Sequence, residues 1–339
     1  MKKFKKLKSF FIILFLFIIT SCGITPTPQG TSEISRFFPF EENTTFVIES
    51  EEFPDINQRI FTAFVNGDRI QQSVSAPNLD FTIVLEKDGD SLRQIYSFSE
   101  HRIFEDITNI LPTTDIIILQ EPFIVGHSWR TEMMDGGTST ITGVGLEITT
   151  PFRTFTDVIE VTTYFDNTDD YTVIHFAPNY GIILDSYRTT FGENVFSANT
   201  HLAQVINGPL EYEMVVFYPN EELTNIDFDI INVQINTNQD FISFFNSIIR
   251  ENIPSLNHVT LNSINVDRSL SKVHVDFAAN FLDFNVGATA ESMLLNSLAN
   301  TFGLFYHVQN FHITINGENY SSGHILFGDG EYIEVGTGL

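Results

Sequence analysis

From about residue 37 to 206 apolar and polar positions alternate in short runs, with turn residues between them. That period of two is the pattern of half-buried strands. Phe61–Val65 and Ile70–Val74 flank Asn66-Gly67, a strong hairpin signal. Leu79–Glu86 places Phe81, Ile83 and Leu85 on one face and is followed by Asp88-Gly89. Further strands are predicted at 115–119, 128–134, 138–142, 146–149, 155–165, 171–176 and 182–187. Consecutive hairpins of this kind make an antiparallel meander, here expected to be a curved sheet or half-barrel.

The period changes after Pro209. Met214–Tyr218 is apolar on both faces, as in a covered strand, and Phe228–Ile235 follows it. Phe241, Phe244, Phe245, Ile248 and Ile249 then recur at helical spacing, with Asp240 at the start and Pro254 beyond the end. Strands are predicted at 259–266 and 272–277, and a second helix at 289–305. A last hairpin turns at Asn316-Gly317. In that second helix Met293, Leu294 and Leu298 read as the buried stripe, and Glu291, Asn296 and Asn300 as the outer face. The order ββαββαβ over 210–330 predicts a small sandwich with two helices on one sheet face, so the chain as a whole is α+β.

The N-terminus has a different logic. Lys2, Lys3, Lys5, Lys6 and Lys8 precede an apolar run from Phe10 to Ile19. A charged start, a short apolar centre and small residues next form the layout of a signal peptide. The run is shorter than the roughly 20 apolar residues that span a bilayer. Ile19-Thr20-Ser21-Cys22 resembles the bacterial lipobox, which implies a diacylglyceryl group on the Cys22 thiol and cleavage before it. Residues 1–21 then form the signal peptide and 22–36, rich in Pro, Thr, Gly and Ser, a flexible tether. Cys22 is the sole cysteine, so disulfides, thiolate metal sites and cysteine nucleophiles are excluded from the rest of the chain.

Charge narrows the partners. The whole chain carries −26, and loss of five lysines with residues 1–21 takes it to −31. So acidic a body repels phosphate backbones, and nucleic acid is not expected as a partner. The 34 phenylalanines supply ample apolar area for ordinary cores.

Two stretches resemble known families. Ile253-Pro254, Val273-His274-Val275-Asp276-Phe277, Phe281, Glu291, Leu298-Ala299-Asn300-Thr301-Phe302 and Val308-Gln309-Asn310-Phe311-His312-Ile313-Thr314-Ile315-Asn316-Gly317 resemble the GerMN domain of sporulation and spore germination proteins. The pattern departs at Ala278, where a serine is usual, and lacks the Gly-Pro common after the first helix. The resemblance implies a fold similar to ring-building motifs, occurrence in envelope assemblies, and no transferable catalytic residue. Arg36-Phe37-Phe38-Pro39, Gly126-His127-Ser128-Trp129 and Phe176-Ala177-Pro178-Asn179-Tyr180-Gly181 resemble lipoprotein β-domains with a half-barrel, lipoprotein-carrier-like architecture. In such a domain Trp129 is expected to plug the concave face.

Candidate chemistry is sparse. The nine histidines include no HExxH motif or helical i, i+4 pair. His274 and His312 lie on strands among alternating apolar residues and would be close if those strands were neighbours, but a zinc site needs three or four ligands. Asp166-Asn167-Thr168-Asp169-Asp170 offers oxygen ligands to calcium, yet Asn and Asp are also the usual turn formers between two strands. Gly136-Gly137 through Gly145 lacks the Gly-Lys-Ser/Thr of a phosphate loop, and no nucleophile elbow occurs.

The expectation is therefore a non-catalytic lipoprotein at the extracytoplasmic face of the cell membrane, without cofactor or metal. A β-domain at 37–206 stands above the anchor. A GerMN-like module at 210–330 docks an envelope protein or a second copy of itself. The alternative is a carrier or sensor with a small apolar or glycan-like ligand in the β-domain. Replacing Cys22 by alanine should abolish palmitate labelling of the chain in cells, and labelling that survives the change would refute the anchor.

Overall fold

The computed structural model describes residues 32–337, apart from 78, 134, 135, 192, 193, 284 and 285. Cys22 and the segment 1–21 lie outside the described residues. Glu33–Leu339 form one compact unit.

The body begins with a helical turn, α1 (Ile34–Phe37). The tether expected to run through residue 36 therefore ends earlier. Ile34 and Phe37, one turn apart, are both buried, and apolar side chains at that spacing hold the turn against the sheet. Twelve antiparallel strands follow: β1 (Thr44–Glu49), β2 (Gln58–Asn66), β3 (Arg69–Ala76), β4 (Leu79–Asp88), β5 (Ser91–Ser99), β6 (Ile116–Gln120), β7 (Ser128–Thr131), β8 (Gly137–Thr149), β9 (Thr154–Phe165), β10 (Tyr171–Ala177), β11 (Gly181–Phe191) and β12 (Asn194–Asn207). Each lies beside its chain neighbour, with two exceptions. β1 pairs with β12, and β6 and β7 end the sheet at its two edges. The edges meet through Trp129 on β7, whose indole N–H donates to the carbonyl of Ile117 on β6 at 3.2 Å. The sheet is thus strongly curved and nearly closed. β1, β5 and β12 are strands that the alternation pattern did not single out.

The second part has the expected element order. β13 (Leu210–Pro219) and β14 (Ile226–Ile235) pair only with each other. Next come α2 (Phe241–Asn252), β15 (Leu261–Asp267), β16 (Lys272–Phe277), α3 (Ala288–Tyr306), β17 (Asn310–Ile315), β18 (Glu318–Asn319) and β19 (Ile333–Glu334). β15 to β19 form a five-stranded sheet in which β16 and β17 run parallel. Asp240 is the N-cap of α2, its carboxylate accepting from the backbone N–H groups of Ile242 and Ser243. Both helices lie on one face of this sheet, in the core that contains Val273, Val275, Phe311 and Ile313.

α3 differs from its sequence reading in one respect. Glu291 and Asn300, expected to face outward, are buried. The β13–β14 hairpin packs on α3, and the segment after β17 reaches the helix at Tyr320, Ser322 and Gly336, so it is covered on more sides than the sheet alone provides. Each polar side chain is partnered. Glu291 accepts from the hydroxyls of Tyr320 and Ser322, Asn300 accepts from the N–H of Gly336, and Thr301 accepts from the N–H of Phe217.

The large sheet and this module share a core. Phe61 and Phe64 of β2 and Phe104 of the β5–β6 connection belong to the same buried cluster as Phe245, Phe302 and Phe305. The Phe104 and Phe305 rings stack at 5.2 Å. A β-bulge at Ala63 puts Phe61 and Phe64, three residues apart, on the same outer face of the sheet. Beyond Phe61 the strand has no partner on its β1 side, and the loop after β14 takes that edge. There the Thr237 hydroxyl donates to Thr62 O at 2.6 Å. Asn238 receives from Val65 N at 2.9 Å and donates its own N–H to Ala63 O.

A polar cluster closes the joint further out. Arg268 pairs with Glu105 and donates to His101 Nε2 at 2.9 Å. His101 in turn stacks on His307, ring centroids 4.5 Å apart. Burial, His307 and Arg268 together push His101 down to about 4. Its Nε2 must be an unprotonated acceptor for the Arg268 bond to exist. A lowered histidine pKa favours the folded state above the unfolded value of 6.5, and that contribution is lost as pH falls from 6.5 toward about 4. The melting temperature should therefore drop between neutrality and mildly acid pH. His101→Gln, which keeps an acceptor but cannot titrate, should reduce that slope, and an unchanged slope would refute the assignment.

Candidate functional site

The inner face of the curved sheet encloses a cavity of about 550 Å³. This lies inside the range of about 300–1,000 Å³ usual for small-molecule sites. The strands that build it alternate strictly, so every second side chain is delivered to the interior. Ile60, Ile83, Leu85, Ile116, Ile118, Ile174 and Ile182 make its wall. Phe38 and Tyr180 line one end of the strands and Phe165, Tyr187 and Met133 the other.

Two bulges tune the wall. In β10–β11 the register slips between His175 and Phe176, leaving Ile183 as the extra residue. Ile182 and Asp185, three apart, thereby both face inward. In β4–β5 a slip between Val84 and Leu85 pairs Leu85 with Gln94, and both line the cavity.

The polar members of the lining are Gln58, Gln72, Gln94, Thr172, Asp185 and Thr200. Asp185 stands opposite Thr200 in the β11–β12 register and accepts from the Thr172 hydroxyl at 2.7 Å. Burial raises its carboxyl above the usual range, against the opposing effects of the Thr172 bond and His175. Trp129, the sole tryptophan, is buried in the core cluster that also holds Leu85 and Ile174 of the cavity wall. Its expected place as a plug becomes that of a clasp between the sheet's two edges.

The other candidates resolve into ordinary structure. His274 and His312 are register partners on the parallel strands β16 and β17, with rings stacked at 4.5 Å. His274 Nε2 contacts the Thr314 hydroxyl at 2.9 Å, and that hydroxyl donates to Asp276 at 2.6 Å. A nucleophilic triad would need the imidazole to take the hydroxyl proton, which here goes to the carboxylate instead. Burial opposes ionisation of Asp276, but hydrogen bonds from Thr314, Asn262 and the N–H of Gly317 hold it below the usual carboxylate range. In the 166–170 loop Asp166 pairs with Arg130 at 2.6 Å and Asp170 accepts from the N–H of Thr190. Asn167 adopts the left-handed turn conformation. Among the described residues no group of three or more His, Cys, Asp or Glu could hold a metal ion, and no helix is long and apolar enough to cross a membrane.

Sequence reasoning named none of the cavity's polar residues. Gln72 was the legible one, since it occupies an apolar position between Ile70 and Val74 on an alternating strand. Asp185 was hidden by the bulge that changes the alternation before it.

The class so defined is a curved antiparallel sheet with an internal apolar cavity, fused to a small α/β module. Residues 229–321, the part of the module from within β14 to just past β18, match the family model Germane, described as sporulation and spore germination. That match fits an envelope protein and agrees with the resemblance read from the GerMN-like motifs. No curated protein matches the chain. Among solved structures, a protein from Bacteroides fragilis described as exported and of YmcC-like fold is 11% identical over 50% of this chain and 99% of its own, with a TM-score of 0.30. A protein from Parabacteroides distasonis described as a lipoprotein is 13% identical over 50% of this chain and 98% of its own, also at 0.30.

Proposed function

We propose that this protein is a non-catalytic, lipid-anchored envelope protein whose curved sheet binds an apolar ligand with an acyl chain. The observation that carries the reading is the cavity: about 550 Å³, walled by Ile, Leu and Phe. Apolar wall in contact with water is unfavourable, so an apolar ligand that covers it is stabilised. An acyl chain suits the wall, because each buried methylene contributes about 0.8 kcal/mol. The signal peptide and Cys22 box support a membrane location, where such chains are abundant.

Trp129 provides a reporter. Brominated acyl chains quench indole fluorescence at short range, and this chain has one tryptophan. Full chain carrying Cys22→Ala, purified free of detergent, should show saturable quenching by a brominated acyl lipid. Ile174→Phe, which narrows the cavity and adds no second indole, should weaken that response while the melt is retained. Failure of every brominated acyl probe to quench would refute the reading.

A second reading, docking of an envelope protein through the module, is favoured by the β13–β14 hairpin. Phe228 and Ile230, 57% and 62% exposed, stand side by side on its outer face. Both hairpin strands lack a further partner among the described residues. Glu211 and Glu213 of the neighbouring strand share that face by register, which suits a basic partner segment. Phe228→Ser with Ile230→Ser should leave the melting temperature within a few degrees but remove a crosslinked partner from intact cells. A partner retained by the double variant would place docking elsewhere.

A further inference from the structure

The cavity's polar groups share a property that the acyl-chain reading leaves unused. None of the described residues lining it is a lysine, arginine or histidine. A carboxylate or phosphate drawn inside would find no cation, and would lie near Asp185. Burying an unpaired charge in an apolar site is far costlier than burying a hydrogen-bonded neutral group.

The neutral groups, by contrast, are unspent. Gln72 is 5% exposed, and its side-chain amide makes no hydrogen bond among the described residues. Thr62 stands directly opposite it in the β2–β3 register, and its buried hydroxyl is also without a partner. Buried polar side chains are nearly always hydrogen-bonded, so an orphan amide aimed into a cavity marks a missing ligand group. Three strand positions away, on β12, Thr200 faces Asp185 of β11, whose Oδ1 accepts from Thr172. This second patch holds two hydroxyls, which can both donate and accept, beside a carboxyl in an apolar surround.

We infer that the cavity selects an uncharged acyl ester or amide, its carbonyl or hydroxyl groups taken by Gln72 and by the Thr172–Asp185–Thr200 patch. This rests on the acyl-chain reading above and adds the rule that anionic amphiphiles are refused.

The test uses the full chain carrying Cys22→Ala and two brominated probes of one chain length: monostearoylglycerol and stearate. Quenching of Trp129 is read at mildly alkaline pH, where stearate is ionised. Monostearoylglycerol should bind at least about tenfold more tightly than stearate, the scale of one buried hydrogen bond against one unpaired charge. Gln72→Leu should weaken monostearoylglycerol by about tenfold and leave stearate unchanged, with the melt unaltered or raised. Asp185→Asn, uncharged but still donor and acceptor, should retain monostearoylglycerol binding, whereas Asp185→Leu should lose it. Stearate binding as tightly as the glycerol ester would overturn the inference while leaving the acyl-chain reading intact. So would a Gln72→Leu variant with wild-type affinity for the ester. Silence of both probes would instead overturn the acyl-chain reading itself.

Discussion

The rest of the structure depends on how the open edge of β2 is satisfied. β1 stops pairing at Thr45, so the backbone of β2 from Thr62 onward faces the second part of the chain with its donors and acceptors free. Such an edge is a liability in water and costs more when buried. The bulge at Ala63 turns it into an attachment. Two residues, Thr237 and Asn238, fill the hydrogen bonds of Thr62, Ala63 and Val65, and the left-handed backbone that Asn238 needs is one asparagine adopts readily. With the edge sealed, Phe61 and Phe64 can face the module without exposing polar backbone beside them. The aromatic cluster around Phe104, Phe245 and Phe305 then belongs to both parts.

That arrangement frees the inner face for another use. Because the outer face of β2 and the β5–β6 connection carry the packing against the module, the concave side need not supply the whole core. The inner apolar residues instead divide into two clusters, one around Trp129 and Phe176 and one around Phe155 and Leu202. The cavity lies between walls drawn from both, since Phe46 and Ile48 pack on the second and Leu85 and Ile174 on the first. A packed outer face and a cavity on the inner face coexist in the same sheet.

Much of this was legible in the chain. Alternation found the hairpin at Asn66-Gly67, the turn at Asp88-Gly89 and the helical stripe from Phe241 to Ile249, and it left the closeness of His274 and His312 conditional on the strand order. β1, β5 and β12 escaped because Thr44–Glu49 is short and the apolar residues of Ser91–Ser99 and Asn194–Asn207 fall largely in adjacent pairs rather than in alternation. The pairing of β1 with β12 is the one long-range contact of the sheet, and local pattern carries no information about it. Glu291 and Asn300 looked exposed because a helix covered on several sides shows the same polar spacing as one facing water when its polar groups find buried partners. The cavity itself was invisible for a simpler reason. Its existence depends on the curvature of the sheet and on bulges of one residue, and neither leaves a trace in hydrophobic period.

The clasp between β6 and β7 sets where this sheet can give. At each of its other boundaries neighbouring strands are joined by a ladder of backbone hydrogen bonds. At this seam the two strands are consecutive in the chain, linked by residues 121–127, and the recorded bridge is one indole N–H to one carbonyl. No ladder holds them; Trp129 and Leu119 instead share one buried cluster, and Phe123 of the connecting loop packs on Phe37. The cylinder is therefore closed on this side by side chains rather than by backbone, next to Ile116 and Ile118 of β6, which line the space within.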